Sequence, residues 1–409
     1  MLGLARSGQA AVRALRGAGE EVVAHDDSTD LDPEPLRALG ADVRLGDGDL
    51  ALLDGVVLVV KSPGVPGTAP LVEAARARGL PVISEIELGV RLLPNPLLGV
   101  TGTNGKTTTT ALLGAVFEAA GRPVEVAGNI GRPLTSLVGA AAPEAWIVCE
   151  LSSFQLEDVD TLRPRIAVLT NLEPDHLDRH GSLEAYRDAK LRAFANQLPE
   201  DVAVLPRGFG DVPGRARRVE FAGDDPLPAE PRLPGAHNRE NAAAATAAAR
   251  AAGIDDAAIA RALREFRGVE HRIEQVAERG GVRYVNDSKA TNVAAARRAL
   301  AAFPDTRRHV ILGGLGKEEP YAPLAAALHR DDRAYLIGAA ADELAAALDA
   351  AGVRYERCGD LARAVAAASR AARPGDIVLL SPACASFDQF TSFEQRGEEF
   401  RRLVQKLHE

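Results

Sequence analysis

The sequence is poor in cysteine. Its three cysteines, Cys149, Cys358 and Cys384, are scattered with no paired spacing. That excludes a disulfide framework and argues against a structural zinc site. No apolar run approaches membrane-spanning length. The opening residues also lack the succession of basic, apolar and small residues that marks a signal peptide. Both absences lead us to expect a cytoplasmic protein with no membrane insertion. Positive charge is in deficit too. The net charge is −9, so broad binding to nucleic acid is not expected, and an anionic substrate must be held by local cations. Lysine is the scarcest of the charged residues. Lys61, Lys106, Lys190, Lys289, Lys317 and Lys406 are the six lysines, against 42 arginines. A guanidinium stays charged, whereas a lysine ammonium is compact and can give up its proton. A chain with this bias keeps lysine where arginine will not serve.

What the chain does contain is enough apolar residue for several cores. At 409 residues, 46% of them hydrophobic, two or three domains are expected. Helix-like and strand-like stretches alternate throughout, as in parallel α/β folds. Three parts stand out: 1–93, 94–270 and 271–409. In the first, helix is expected over 8–18 and strands over 21–25, 55–60 and 81–83. Gly3-Leu-Ala-Arg-Ser-Gly8 is similar to a dinucleotide-binding turn, but Ala5 stands where the second glycine belongs. Asp26 lies near the distance at which such a turn meets a ribose, and an ordinary strand-to-helix turn is the alternative. Only Met1 and Leu2 precede this turn, whereas a central strand normally needs about five residues. The expectation is a displaced start or a locally defective first domain.

Residues 100–110, Val-Thr-Gly-Thr-Asn-Gly-Lys-Thr-Thr-Thr-Thr, carry the strongest signal. A buried strand over 95–100 leads into them, and a helix over 107–120 leads out. Gly102 and Gly105 let the backbone turn its N–H groups inward, and the helix N-terminus adds partial positive charge. Gly102, Thr103, Asn104, Gly105, Lys106, Thr107 and Thr108 therefore form a phosphate-binding loop. Lys106 can reach the terminal phosphates, and the Thr107 hydroxyl can ligate Mg²⁺. The loop is a compact variant, because Val100 stands where the usual first glycine would be.

The other polar clusters follow strands. Glu150 ends a strand over 145–150 and can hold Mg²⁺ opposite Thr107; a buried structural carboxylate is the alternative. His176 and His180 follow a strand over 166–170. Their spacing resembles a zinc helix, but the glutamate of that motif is absent. His176 is read as a ligand to a second Mg²⁺ and His180 as a packing or surface residue. Lys190 lies on an expected helix, where a solvated charge is the ordinary reading. Residues 205–234 carry little information. His237-Asn-Arg-Glu-Asn241 opens an alanine-rich helix. In the third part, strands are expected near 282–286, 309–312, 334–337 and 376–380. Asp287, Lys289 and Thr291 follow the first of these, and Lys317 follows the second. Ser381-Pro-Ala-Cys-Ala-Ser-Phe-Asp-Gln-Phe390 follows the last. Open α/β sheets bind ligands at such strand ends.

Taken in order, Thr101-Gly-Thr-Asn-Gly-Lys-Thr107, Glu150, Asp175-His176, Lys190, His237-Asn238 with Asn241, and His271-Arg272 resemble the Mur ligase family. These are ATP-dependent amide-forming enzymes of peptidoglycan synthesis. The segments 150–156, 286–292 and 381–390 are similar to the branch that adds D-glutamate. The resemblance implies three domains: a Rossmann-like domain for the UDP of the sugar substrate, a central P-loop ATPase-type domain, and a Rossmann-like domain for the amino acid. It implies ATP and two Mg²⁺ ions, with UDP-N-acetylmuramoyl-L-alanine and D-glutamate as substrates, in a monomer. Asn129 would touch the sugar substrate, and Asn238, Asn241, Arg272 and Asp287 the adenine nucleotide. Thr291, Lys317, Ser386 and Phe393 would frame D-glutamate. Lys190 would carry CO₂ as a carbamate and join Thr107, Glu150 and His176 around the metal. A P-loop ATPase or kinase, and a catalytically silent nucleotide-binding module, are the readings from other classes.

Overall fold

The computed structural model describes residues 1–233, 235–316 and 319–407. Lys317 therefore lies outside the described residues. The chain forms two compact units, Met1–Phe266 and Arg267–Glu409.

The first unit begins with two small parallel pairs. Val23–Asp26 pairs with Asp42–Leu45, and Val59–Lys61 with Val82–Ser84. Leu2 bridges both pairs, through His25 on one side and Lys61 on the other. Leu2 N donates to Val60 O at 2.9 Å, Gly3 N to His25 O at 2.8 Å, and Ser62 N to Leu2 O at 2.9 Å. Two residues thus stitch the pairs together where a central strand of about five was expected. The strand expected over 55–60 is shorter and later, Val59–Lys61, since Val57 is 82% exposed. Asp26 uses both carboxylate oxygens on backbone donors, accepting from Leu4 N of the Gly3–Gly8 turn at 2.6 Å and from Ser28 N of its own turn at 2.9 Å.

The rest of this unit is a six-stranded, wholly parallel sheet. Its order is Arg217–Phe221, Val202–Pro206, Ile166–Leu169, Leu97–Thr101, Trp146–Glu150, Val124–Gly128. The inner strands are buried on both faces and read as continuous apolar runs, as parallel strands under helices must. Helix Lys106–Ala119 packs against helix Ala236–Ala251. Alanines 242–245, 248 and 249 of the latter are buried in the core they share. Alanine, with no bulk beyond Cβ, lets the two backbones and the sheet approach closely.

The second unit is another six-stranded sheet, ordered Glu274–Arg279, Val282–Asn286, Ile377–Leu380, Arg308–Gly313, Arg333–Ile337, Arg354–Gly359. Only the first strand runs antiparallel. The overall class is mixed α/β with parallel sheets. Among the described residues, no helix is long and apolar enough to cross a membrane.

Candidate functional site

The phosphate loop leaves the central strand Leu97–Thr101 and enters helix Lys106–Ala119. Gly102 and Gly105 have φ of +137° and +80°, which side chains rarely tolerate. A Cβ at Gly102 would run into Thr170 Oγ1, and one at Gly105 into Asn241 Oδ1. Asn241 therefore lies directly on the loop, brought there by helix Ala236–Ala251. The next strand braces the loop from the other side. Thr103 N donates to Asn171 O at 3.0 Å. Asn104 N donates to Asn171 Oδ1 at 2.8 Å, and Asn104 Nδ2 to Glu173 Oε2 at 2.8 Å. Lys106 Nζ donates to the carbonyls of Gly102 and Thr103, both at 2.9 Å, so its charge lies over the loop. Thr107 is buried at the helix start. Thr108 and Asn238 line a cavity of about 10 Å³ with Leu112, Leu263 and Phe266. That volume suits a single water.

Glu150 ends the neighbouring strand and is 1% exposed. Its Oε1 accepts from Asn129 Nδ2 at 2.7 Å. Its Oε2 is buried with no hydrogen-bond partner among the described residues. A buried carboxylate oxygen left in that state is costly unless a cation meets it, so the residue fits Mg²⁺. Asn129 here orients this carboxylate, a position that spacing alone did not indicate.

Lys190, on helix Leu183–Leu191, is 1% exposed. It is not a solvated helical charge. Nζ donates to Gly102 O at 2.6 Å and lies 4.5 Å from the centroid of the Tyr186 ring. Burial first, then the charge of Lys106, pulls its pKa down to about 7, against the opposing pull of Asp175 and Glu150. A substantial neutral fraction at neutral pH follows. Thr107, Glu150 and Lys190 thus gather around the end of one strand pair and the loop between them.

His176 has φ +50° and a half-exposed side chain whose Nε2 lies 3.6 Å from Asp175 Oδ2. Its ring is 4.9 Å from that of Phe154. His180 is a packing residue, with Nε2 3.0 Å from Ser153 Oγ, and burial lowers its pKa. Among the described residues, no group of three His, Cys, Asp or Glu side chains is arranged to hold a metal. Of the four residues implied for the cation, only Glu150 and His176 are of those types.

In the second unit, Asp287 is buried. Its Oδ2 accepts from Ser381 Oγ at 2.8 Å and its Oδ1 from Ile273 N at 3.2 Å. Burial pushes its pKa up to about 7, opposed by those two bonds and by Arg272 and Arg298. Lys289 Nζ lies 5.9 Å from the Phe393 ring centroid, and Ser386 is buried nearby in sequence to the Ser381 turn. Sequence reasoning missed Arg396. It is fully buried, and its guanidinium ties two loops together. Nε donates to Ser288 Oγ at 2.9 Å and Nη2 to Ser288 O at 2.8 Å. Nη1 donates to Cys384 O at 3.2 Å and Ala385 O at 3.3 Å. Nothing in the sequence separates this arginine from the other 41. A cavity of about 370 Å³ between strand Arg217–Phe221 and helix Ala236–Ala251 is lined by none of the candidate site residues.

Comparison with known proteins was made against this geometry. Residues 100–212 match the family model described as the Mur ligase middle domain, and residues 271–384 match the Mur ligase, glutamate ligase domain. The chain is 46% identical to UDP-N-acetylmuramoylalanine–D-glutamate ligase from Sphingopyxis alaskensis, with 100% of this chain and 96% of that protein covered. It is 44% identical to the protein of the same name from Acidobacterium capsulatum, with 99% and 95% covered. Among solved structures, UDP-N-acetylmuramate-alanine ligase MurC from Thermotoga maritima is similar in fold. Its TM-score is 0.58 at 21% identity, with 99% of this chain and 98% of that chain covered.

Proposed function

This chain belongs to the Mur ligase family, and from that premise we propose that it joins D-glutamate to UDP-N-acetylmuramoyl-L-alanine at the expense of ATP. The observation that carries the reading is a likeness to ligases of that name over 99% and 100% of the chain. The P-loop geometry supports ATP as the phosphoryl donor.

In this reading the substrate carboxylate attacks the γ-phosphate and becomes an acyl phosphate. The D-glutamate amine then attacks that carbonyl, and phosphate leaves. Both partners of the first step are anionic, so positive charge must offset their repulsion. Lys106, held over the loop carbonyls, turns toward the terminal phosphates. Thr107, Glu150, His176 and a carbamate on Lys190 are the residues that would hold two Mg²⁺ ions. Bound there, Mg²⁺ neutralises the charge that develops on the transferring phosphoryl group. The buried Lys190 amine, its pKa lowered to about 7 by burial and Lys106, can add in its neutral form to CO₂; a C–N bond forms and one proton passes to solvent. Asn129 keeps Glu150 oriented. Asn238, Asn241, Arg272 and Asp287 serve the adenine nucleotide. Lys289, Thr291, Lys317, Ser386 and Phe393 serve the amino acid. We assign 1–93 to the UDP-sugar, 94–270 to ATP and 271–409 to D-glutamate, in a cytoplasmic monomer.

Phosphate release tests the assignment. It should require ATP, the sugar peptide and D-glutamate together. L-glutamate, L-alanine and a diamino acid, assayed in parallel, should be poor substitutes; equal rates with L-glutamate would overturn it.

A further inference from the structure

We propose that Arg179 is a positioning residue that couples the Ser62–Val65 loop to His176, so that binding of the sugar peptide fixes the cation site. The inference rests on the proposed function, which assigns that substrate to the 1–93 segment and a cation to His176.

His176 is a non-glycine residue in the left-handed region. Such a conformation costs about 1–3 kcal/mol and persists only where its surroundings impose it. Those surroundings can be named. The His176 carbonyl accepts from Arg179 N at 3.1 Å and His180 N at 3.0 Å. Its ring packs 4.9 Å from Phe154 and 6.4 Å from Tyr186. The Arg179 guanidinium lies 3.9 Å from the Phe154 ring centroid, well within cation–π reach. The same planar group donates through Nη2 to Glu157 Oε2 at 3.0 Å and through Nη1 to Pro63 O at 3.2 Å.

One side chain thus touches the ring that supports His176 and the loop of the opposite segment. That loop is held in turn by the first one. Ser62 Oγ lies 2.7 Å from Ser7 Oγ, and a Cβ at Gly3 would collide with Ser62 and Val65. At the other end of the cluster, Tyr186 Oη donates to Thr103 Oγ1 of the phosphate loop at 3.1 Å. The contacts run without a break from the Gly3–Gly8 turn through Arg179 and Phe154 to His176. Lysine cannot stand in for Arg179, because it has one donor nitrogen and no plane to stack. If Arg179 were only a partner for Glu157, it would contribute stability and nothing more.

The test is Mn²⁺ binding, read by electron paramagnetic resonance in the presence of AMPPNP. It is run with and without UDP-N-acetylmuramoyl-L-alanine on the full chain, Arg179→Met and Arg179→Lys. In the unaltered chain the sugar peptide should tighten Mn²⁺ by at least about fivefold, a typical coupling between sites. In both variants that tightening should vanish, while AMPPNP affinity without sugar peptide stays within about twofold. Equal tightening in chain and variants, or none in the unaltered chain, overturns the proposal. So does a parallel loss of AMPPNP affinity, the mark of a merely structural role. Should Arg179→Met fail to fold, Arg179→Lys, which keeps the charge for Glu157, decides on the same criteria. A chain that ligates D-glutamate but lacks the Mn²⁺ effect defeats this inference alone. A chain with the effect but no ligation defeats the substrate assignment instead.

Discussion

Burial and the neighbouring Lys106 charge both favour the neutral form of Lys190. In the unfolded chain this amine titrates near its ordinary value of 10.5, against about 7 when folded. Between those values the unfolded state holds the extra proton. Stability from this group therefore rises with pH across the window and is lost as pH falls toward 7. Denaturant titrations in CO₂-free buffer should show the unaltered chain gaining on Lys190→Met between those limits; parallel curves would refute the neutral amine. Activity follows the carbamate. Lys190→Arg and Lys190→Ala should each lose at least about 100-fold in turnover, and acetate should partly restore only the alanine variant. Near-normal turnover by Lys190→Arg would refute the carbamate. Lys190 drew attention in the sequence because lysine is so rare. The charge that helps lower its pKa, Lys106, and the carbonyl that receives its Nζ, Gly102 O, are more than 80 positions away and are set by the sheet.

Elements were legible in proportion to their burial. The inner strands Leu97–Thr101, Trp146–Glu150, Ile166–Leu169 and Ile377–Leu380 announce themselves as short apolar runs. The four edge strands of the two large sheets do not. Arg217-Arg-Val-Glu-Phe221 and Arg354-Tyr-Glu-Arg-Cys-Gly359 carry charged residues on both faces. Such residues also keep an edge from pairing with other chains, and they erase the apolar pattern. The loops of the second unit were recognisable as polar, but not the buried guanidinium that joins them. Arg396→Lys should take guanidinium donors from the carbonyls of Ser288 and Cys384, at about 1–3 kcal/mol for each one unmet, while Ala385 O keeps Leu315 N. The expected result is a loss of about 2–4 kcal/mol in urea unfolding of the second unit and a raised KM for the amino acid. An unchanged midpoint with an unchanged KM would show that the loops hold themselves.

Over the whole molecule, the division into units was only partly legible. The two compact units divide at Phe266. Contacts between 1–93 and the residues that follow were not legible. Lys61 has no exposed surface; its Nζ lies 3.0 Å from Asp158 Oδ2 and 3.8 Å from Glu157 Oε2. Arg76 also meets Asp158, at 2.7 Å. This buried cluster fastens the small strand pairs to the large sheet. Lys61→Met should cost about 3 kcal/mol, since it leaves the buried Asp158 with only the half-exposed Arg76 as countercharge. Lys61→Met with Asp158→Leu should recover most of the loss, because the penalty comes from the unmatched charge. A double variant as unstable as the single one would contradict that account.

The alanine run in helix Ala236–Ala251 has a further consequence, for motion. Helices normally lock by ridges of large side chains seated in grooves. A face made of methyl groups has only shallow ridges, so it meets little resistance to sliding along its neighbour. Asn238 and Asn241 ride on this helix, and Asn241 lies directly against the phosphate loop at Gly105. The nucleotide contacts thus sit on an element suited to small shear displacements. Relaxation dispersion of its amide signals should show exchange on the microsecond-to-millisecond scale that slows in Ala248→Val; a helix silent in both would rule the sliding out.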